Sequence, residues 1–306
     1  MTAQQLREPT GAGVRQAMER IAAILAPTPL VPITVNGVQL WLKDETAQPI
    51  RAFKIRGAWN RMSAIPAAER ARGVVALSSG NHALGVAWSA RRLDMQARVL
   101  MPRDTPSAKL AAVSALGAEI IPYDRLGDDR EAMAAQLCRT GATLVHPFAD
   151  PRVIEGQGTL ALEITAQLGR APDRIIAPCG GGGLLSGCAL ACPGAELIAV
   201  EPEGWDDTAR SLAAGRIVPV GPNPPPTICD GIQTPAISPL TFAVLHRHGA
   251  RGVSVTDADV RGAQQLLRER AGIIAEPSGA AGLAAVLAGC VPADGLTAIV
   301  LTGGNG

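Results

Sequence analysis

Aromatic side chains are scarce in these 306 residues: three phenylalanines, one tyrosine and four tryptophans. Charge of either sign is not in excess, with 28 basic against 27 acidic side chains, and no basic run or aromatic-plus-arginine cluster stands out. Electrostatics therefore gives no reason to expect a nucleic acid or a membrane surface as partner, and a small, near-neutral substrate fits better. There is no CxxC pair: Cys138, Cys179, Cys188, Cys192, Cys229 and Cys290 show no metal-type spacing with the four histidines. In a chain too large to need staples they read as reduced thiols in a cytoplasm. The polar start "MTAQQLREPT" has no signal-peptide core. The one long charge-free stretch, 175–195, contains four consecutive glycines and two prolines, which would leave backbone groups unsatisfied in lipid.

What is present alternates. Short Val/Ile-rich runs ("GVVALSS", "ARVLMP", "AEIIPY", "TLVHPF", "RIIAPC", "ELIAVEP", "GVSVT", "TAIVLT") are separated by longer Ala/Leu-rich segments of helical spacing. That pattern predicts βα units and parallel sheets with helices on both faces. The length exceeds that of one usual hydrophobic core, which predicts two domains. Helix starts are marked at Ser107, in a segment closing on Gly117, and at the Thr256/Asp259 capping-box pattern. The prolines of "VGPNPPPT" (220–227) mark a non-helical connector.

Three stretches look chemical. In "RAFKIRGAWN", Lys54 follows Phe53 among apolar neighbours, so its amine must either reach water, as surface lysines do, or lose its proton. "SSGNHALG" (78–85) sets two hydroxyls, an amide and an imidazole between a buried strand and a helix, where free N–H groups favour an anion such as a carboxylate. "CGGGGLLSG" (179–187) repeats the arrangement with four residues that lack side chains, either as a tight packing turn or as amides folded around a phosphate. It lacks the lysine and hydroxyl of a Walker loop and the spaced glycines of a dinucleotide fingerprint. Together with the strand-end hydroxyl of "VLTGGNG", these parts match the needs of pyridoxal phosphate: a lysine for its aldehyde, an amide cradle for its phosphate, a polar donor for its 3′ oxygen and a partner for its ring nitrogen.

The ordered motifs "FKIRGA", "SSGNHA", "VIEGQGTLALEI", "GGGGLLSG", "EPSGAAGLAAVL" and "LTGGN" span nearly the whole chain. They resemble the fold-type II pyridoxal-phosphate family of serine/threonine dehydratases and serine racemases. The resemblance implies an α/β protein of two parallel-sheet domains, tryptophan synthase beta-like, with the cofactor in the interdomain cleft. Residues 1–49 and 149–306 would form the large cofactor-binding domain, and 50–148 the small domain carrying the lysine and the substrate loop. It also implies a homodimer. Lys54 becomes the lysine that joins the cofactor, Phe53 its flanking ring-packing residue, and Asn81 the partner of the 3′ oxygen. Gly180, Gly181, Gly182, Gly183 and Leu184 would supply phosphate-binding amides, and Thr302 would face the pyridine nitrogen. Ser78, Ser79, Asn81 and His82 fall on the loop that holds the substrate carboxylate, and Ser79 matches the opposite-face acid/base of the racemases. Glu276 matches a family glutamate near the cofactor; by itself it reads as an ordinary helix-start carboxylate.

In "AVEPEGWDD", Glu201, the carbonyl of Trp205 and Asp207 reproduce the spacing of the family's divalent-cation site. Hard oxygen donors of this kind suit Mg²⁺ or Mn²⁺, with Ca²⁺ a third candidate, and the alternative is a solvated acidic loop. Three positions depart from the family pattern: Ala52 replaces a small hydroxyl residue before Phe-Lys, Leu84 a glutamine, and Thr302 a serine. The sequence stops at Gly306, just after the last motif, so no regulatory domain of the biosynthetic threonine dehydratases is expected.

A hydroxyl opposite the ring nitrogen cannot hold a full positive charge there, which favours prompt loss of a β-leaving group. The expectation is an ammonia-lyase that converts L-threonine or L-serine to a 2-oxo acid and ammonia. Ser79 keeps a serine- or aspartate-type racemase as the alternative, and 3-hydroxyaspartate is a further substrate with Arg130 as partner for its second carboxylate. A β-replacement synthase fits less well, since those relatives carry threonine at the position of His82. A catalytically silent regulatory fold fits poorly with an intact lysine and phosphate loop.

Overall fold

The computed structural model describes residues 7–78, 80–125 and 127–305. Its strands are β1 (Leu30–Val35), β2 (Val38–Asp44), β3 (Val74–Leu77), β4 (Ala97–Pro102), β5 (Glu119–Tyr123), β6 (Thr143–Val145), β7 (Arg174–Pro178), β8 (Glu196–Pro202), β9 (Arg251–Val255) and β10 (Thr297–Leu301). Its helices are α1 (Gly11–Ala22), α2 (Lys54–Ser63), α3 (Asn81–Arg92), α4 (Ser107–Ala115), α5 (Arg130–Cys138), α6 (Pro151–Leu168), α7 (Gly183–Ala191), α8 (Asp207–Ala214), α9 (Pro239–Arg247), α10 (Asp257–Ala271) and α11 (Pro277–Leu287). Among the described residues no helix is long and apolar enough to cross a membrane.

Two sheets organise these elements. One has the order β1-β2-β10-β7-β8-β9, the other β5-β4-β3-β6. Every neighbouring pair is parallel except β1 and β2, an antiparallel hairpin at one edge of the larger sheet. This is the α/β architecture expected from the alternation of apolar runs, and all eight of those runs contain a strand. The hairpin was not expected. Its signal is Asn36-Gly37, both at positive φ (51° and 80°), the pair that a tight two-residue turn requires. Pro32, which argues against a central strand, is tolerated because β1 lies at the edge.

Alternate residues of the inner strands face opposite cores. Ile176, Ile198, Val200, Ile299 and Leu301 pack with α10 and α11, whereas Ile175, Ala177, Leu197, Ala199, Ala298 and Val300 pack with α6, α7 and α9. Burial on both faces explains why these strands read as continuous apolar runs. The Thr256/Asp259 capping box is formed, and 220–227 is non-helical as expected. Helix α4 begins at Ser107, after Pro106 as N-cap, and Gly117 follows its end at φ 88°.

The motif "VIEGQGTLALEI" lies on α6 and is a packing device. A Cβ on Gly156 would fall 2.7 Å from Gly57 Cα of α2, and one on Gly158 would fall 2.5 Å from Gly187 O of α7. Only glycine lets the three helices approach so closely. Beneath α2 lies a buried ion network. Arg56 donates to both oxygens of Glu45 at 2.8 Å and to both oxygens of Glu163 at 2.6 and 2.9 Å. Lys43 pairs with Glu163 at 2.6 Å and donates to Thr28 O and Gln167 Oε1. Two cations and two anions thus balance with no exposed charge, and they fix the first turn of α2 to β2 and α6.

Candidate active site

The C-terminal ends of three strands converge on one region. β3 runs out into Ser78 and Gly80 before α3 starts at Asn81; β7 runs into the glycines before α7; β10 ends beside Thr302. Ligands of open parallel sheets bind at such strand ends.

Lys54 is the first residue of α2. Its Nζ donates to Pro147 O at 3.1 Å and lies 5.2 Å from the centroid of the Phe53 ring. Burial lowers its pKa to about 8, partly opposed by Cys179. The chain has three lysines. Lys43 is held by Glu163 and Lys109 by Asp230, whereas Lys54 has no acidic partner among the described residues. It is therefore the amine free to act as a nucleophile. Since the neutral form attacks an aldehyde, cofactor uptake by the cofactor-free protein is expected to accelerate as pH rises and to level off above about 8. Stopped-flow absorbance across pH 6 to about 9.5 checks this, and a rate independent of pH would contradict it.

The segment after β6 carries residues that the sequence reading missed. Phe148, next to the Lys54 acceptor Pro147, packs against the glycine loop: a Cβ on Gly181 would lie 2.2 Å from its ring, and one on Gly183 would lie 2.9 Å from its Cβ. His146 Nδ1 accepts the Phe148 and Ala149 N–H groups at 3.3 and 2.8 Å, so a neutral ring carries its proton on Nε2. Burial first, then the Lys54 charge, lowers the His146 pKa to about 4, and Arg130 adds to the effect. Arg130, at the start of α5, is half exposed and among the described residues pairs only with its neighbour Glu131, at 3.7 Å. The signal for this segment was the pairing of an imidazole with two turn-forming residues directly after a strand.

The glycine loop is built as an anion cradle. Gly182 sits at φ 80° as N-cap of α7, with no side-chain cap, and the Gly183 and Leu184 N–H groups have no acceptor among the described residues. A Cβ on Gly180 would lie 2.7 Å from Thr234 Oγ1. Free amides at a helix N-terminus, in a space that side chains would fill, fit a phosphate group.

Opposite the loop, the Phe53 N–H donates to Thr302 O at 3.1 Å and Ala52 bridges to Gly303, which ties the lysine to the end of β10. Thr302 is buried, and its hydroxyl has no protein partner among the described residues. Asn81 Nδ2 donates to Glu276 Oε1 at 2.7 Å. Glu276 is the N-cap of α11, yet its carboxylate turns to Asn81 and to the Asn305 N–H instead of capping; burial raises its pKa. Ser78 Oγ accepts the Gly80 N–H at 3.2 Å. Ser79 lies outside the described residues. His82 stands on this loop with its ring turned inward: Nε2 donates to Val145 O at 2.8 Å, and Nδ1 is a buried acceptor without a partner among the described residues. Burial, then the Lys54 charge, lowers its pKa to about 3, so it is neutral.

A free amine, an uncapped amide cradle and an unpaired hydroxyl in one cleft fit pyridoxal phosphate. A family model described as pyridoxal-phosphate dependent enzyme matches residues 21–303. The chain belongs to that family. It is 38% identical to the L-threo-3-hydroxyaspartate ammonia-lyase of Saccharomyces cerevisiae, over 97% of this chain and 93% of the relative. It is 39% identical to the L-threonine ammonia-lyase of Thermotoga maritima, over 89% of this chain and 68% of the relative. Maize serine racemase superposes with a TM-score of 0.92 at 36% identity, covering 98% of this chain and 94% of the other. The chain is thus an enzyme of the lyase and racemase group, with the fold-type II architecture.

The acidic loop lies between β8 and α8. Glu201 accepts the Thr208 and Ala209 N–H groups, each at 2.9 Å, and Asp207 accepts the Ile237 N–H at 2.7 Å. Burial, followed by repulsion from Asp207, raises the Glu201 pKa to about 8, and burial raises that of Asp207 to about 6. Neither forms an ion pair among the described residues, and no cluster of three or more histidine, cysteine or acidic side chains occurs there. Two buried carboxylates that form no ion pair among the described residues fit a hard divalent ion completed by carbonyls and water.

Proposed function

We propose that the enzyme is an ammonia-lyase for β-hydroxy amino acids, and that 3-hydroxyaspartate is preferred to L-threonine and L-serine. The observation that supports the substrate choice is Arg130, a half-exposed guanidinium whose one ion pair among the described residues is a long contact, 3.7 Å, to its chain neighbour Glu131. A second carboxylate directed from the Lys54 end of the cleft toward Arg130 would find a charge-assisted donor there. Bound pyridoxal phosphate would supply the electron sink for the pair left at Cα. Lys54, neutral above about pH 8, takes the Cα proton. Thr302 offers a hydroxyl, not a carboxylate, to the ring nitrogen. The Gly183 and Leu184 amides would hold the phosphate, and Asn81 would donate to the 3′ oxygen. The β-hydroxyl leaves with a proton as water, the electron pair from the broken Cα–H bond forming the Cα=Cβ bond, and hydrolysis of the released enamine gives a 2-oxo acid and ammonia.

Steady-state assays on threo-3-hydroxyaspartate, threonine and serine test this reading, with D-serine formation monitored in parallel. Arg130→Ala should lower kcat/KM for hydroxyaspartate about 100-fold and that for serine little, as expected on losing one charge-assisted pair. Equal losses on both substrates, or threonine as the best substrate of the wild type, would overturn the substrate choice. The likeness to maize serine racemase supports a second activity, racemisation, with Ser79 as the acid/base on the face opposite Lys54. The two sheets support the proposed division into 1–49 with 149–306 and 50–148, and a cytoplasmic homodimer is proposed with it.

The Glu201, Trp205 and Asp207 loop is proposed to take Mg²⁺ or Mn²⁺. Chelation should lower the melting temperature of the wild type, and either ion should restore it, because a ligand bound only to the native state stabilises by mass action. Asp207→Ala should respond to neither. The same chelator response in both proteins would remove the site.

A further inference from the structure

The "LTGGN" motif contains more than the hydroxyl of Thr302. A Cβ on Gly303 would lie 2.5 Å from Glu276 Oε1 and 3.0 Å from Asn81 Nδ2, so this glycine lets a polar group of three side chains close beside the cleft. Asn305 completes that group. Its Nδ2 has two hydrogens and uses both, one on Ile50 O at 2.7 Å and one on Asn81 Oδ1 at 2.9 Å. Its backbone N–H donates to Glu276 Oε2 at 3.1 Å.

The orientation of each amide follows from its partners. Ile50 O can only accept, which fixes the Asn305 amide with nitrogen toward it. The other Asn305 hydrogen then meets Asn81, whose oxygen must face it. An ionised Glu276 can only accept, which places Asn81 Nδ2 on its other side, in agreement with the 2.7 Å bond there. One Asn81 hydrogen is thereby used, and the second has no acceptor among the described residues.

We propose that Asn305 is a positioning residue that holds the Asn81 amide with this one free N–H presented to the 3′ oxygen of pyridoxal phosphate. The proposal rests on the assignment of Asn81 to the cofactor. Without Asn305, the Asn81 amide keeps only its bond to Glu276 Oε1, about which it can swing, so its free N–H is no longer held toward the cofactor oxygen.

A double-mutant cycle tests this, read by the absorbance spectrum of the bound cofactor and by its dissociation constant. Asn305→Ala should weaken cofactor binding about tenfold and shift the absorbance in the same direction as Asn81→Ala. Asn305→Asp, of the same size without the donor hydrogens, should do likewise, which separates loss of the donor from loss of volume. The double variant should be no worse than Asn81→Ala, since the two residues act as one unit. Additive effects, or a lowered melting temperature with an unchanged spectrum in the Asn305 variants, would overturn the proposal. An unchanged spectrum and affinity in Asn81→Ala would instead end the assignment of Asn81 to the cofactor, and this proposal with it.

Discussion

Lys54→Ala is expected to lower turnover of every substrate by at least about 10⁴-fold, because the nucleophile that carries the cofactor and the base that takes the Cα proton are lost together. The cofactor should still associate through the Gly183 and Leu184 amides and Asn81, which do not depend on the lysine. No other amine can replace it: Lys43 is locked to Glu163 and Lys109 to Asp230. Activity and cofactor content of the purified variant check both halves. Turnover within about tenfold of the wild type would remove Lys54 from its role, a far smaller loss than general-base catalysis implies.

The second large effect lies two residues further along α2. Arg56→Ala is expected to destabilise the fold by about 3–5 kcal/mol, because it leaves Glu45 and Glu163 buried with only Lys43 to offset them. That is a large share of the roughly 5–15 kcal/mol by which domains are stable. Urea unfolding followed by circular dichroism measures it. Where the variant does not fold, the isosteric Glu45→Gln tests the same network, since it leaves half of the Arg56 fork facing a neutral amide. Losses within about 0.5 kcal/mol for these substitutions, typical of exposed sites, would show that the network is inert.

The network also shows where the sequence was legible and where it was not. Lys54, the four glycines, Asn81 and Thr302 each sit in a short stretch whose chemistry can be read locally, as strand-end turns with unusual residue types. Strands β7, β8 and β10 are legible because burial on both faces leaves unbroken apolar runs. Arg56, Glu45 and Glu163 look like ordinary surface charges, and only the fold brings positions 45, 56 and 163 together with no exposure to water. Phe148 against Gly181, and Asn305 against Asn81, are likewise contacts between distant segments. His82 is a mixed case. Its place beside Asn81 puts it on the substrate-carboxylate loop, but only the fold shows that helix α3 turns the ring inward to Val145 O. The β1–β2 hairpin went unread although Asn36-Gly37 marks it, because Pro32 and the short alternating strands resemble loop.

The central claim is that Lys54 is the residue joined to pyridoxal phosphate. Borohydride reduction of the cofactor-loaded enzyme followed by peptide mass mapping tests it most directly, because it leaves the cofactor skeleton fixed to whichever amine holds it. The account predicts one modified site, on the peptide containing Phe53-Lys54-Ile55. Modification at Lys43 or Lys109, or none in a protein that retains activity, would contradict it.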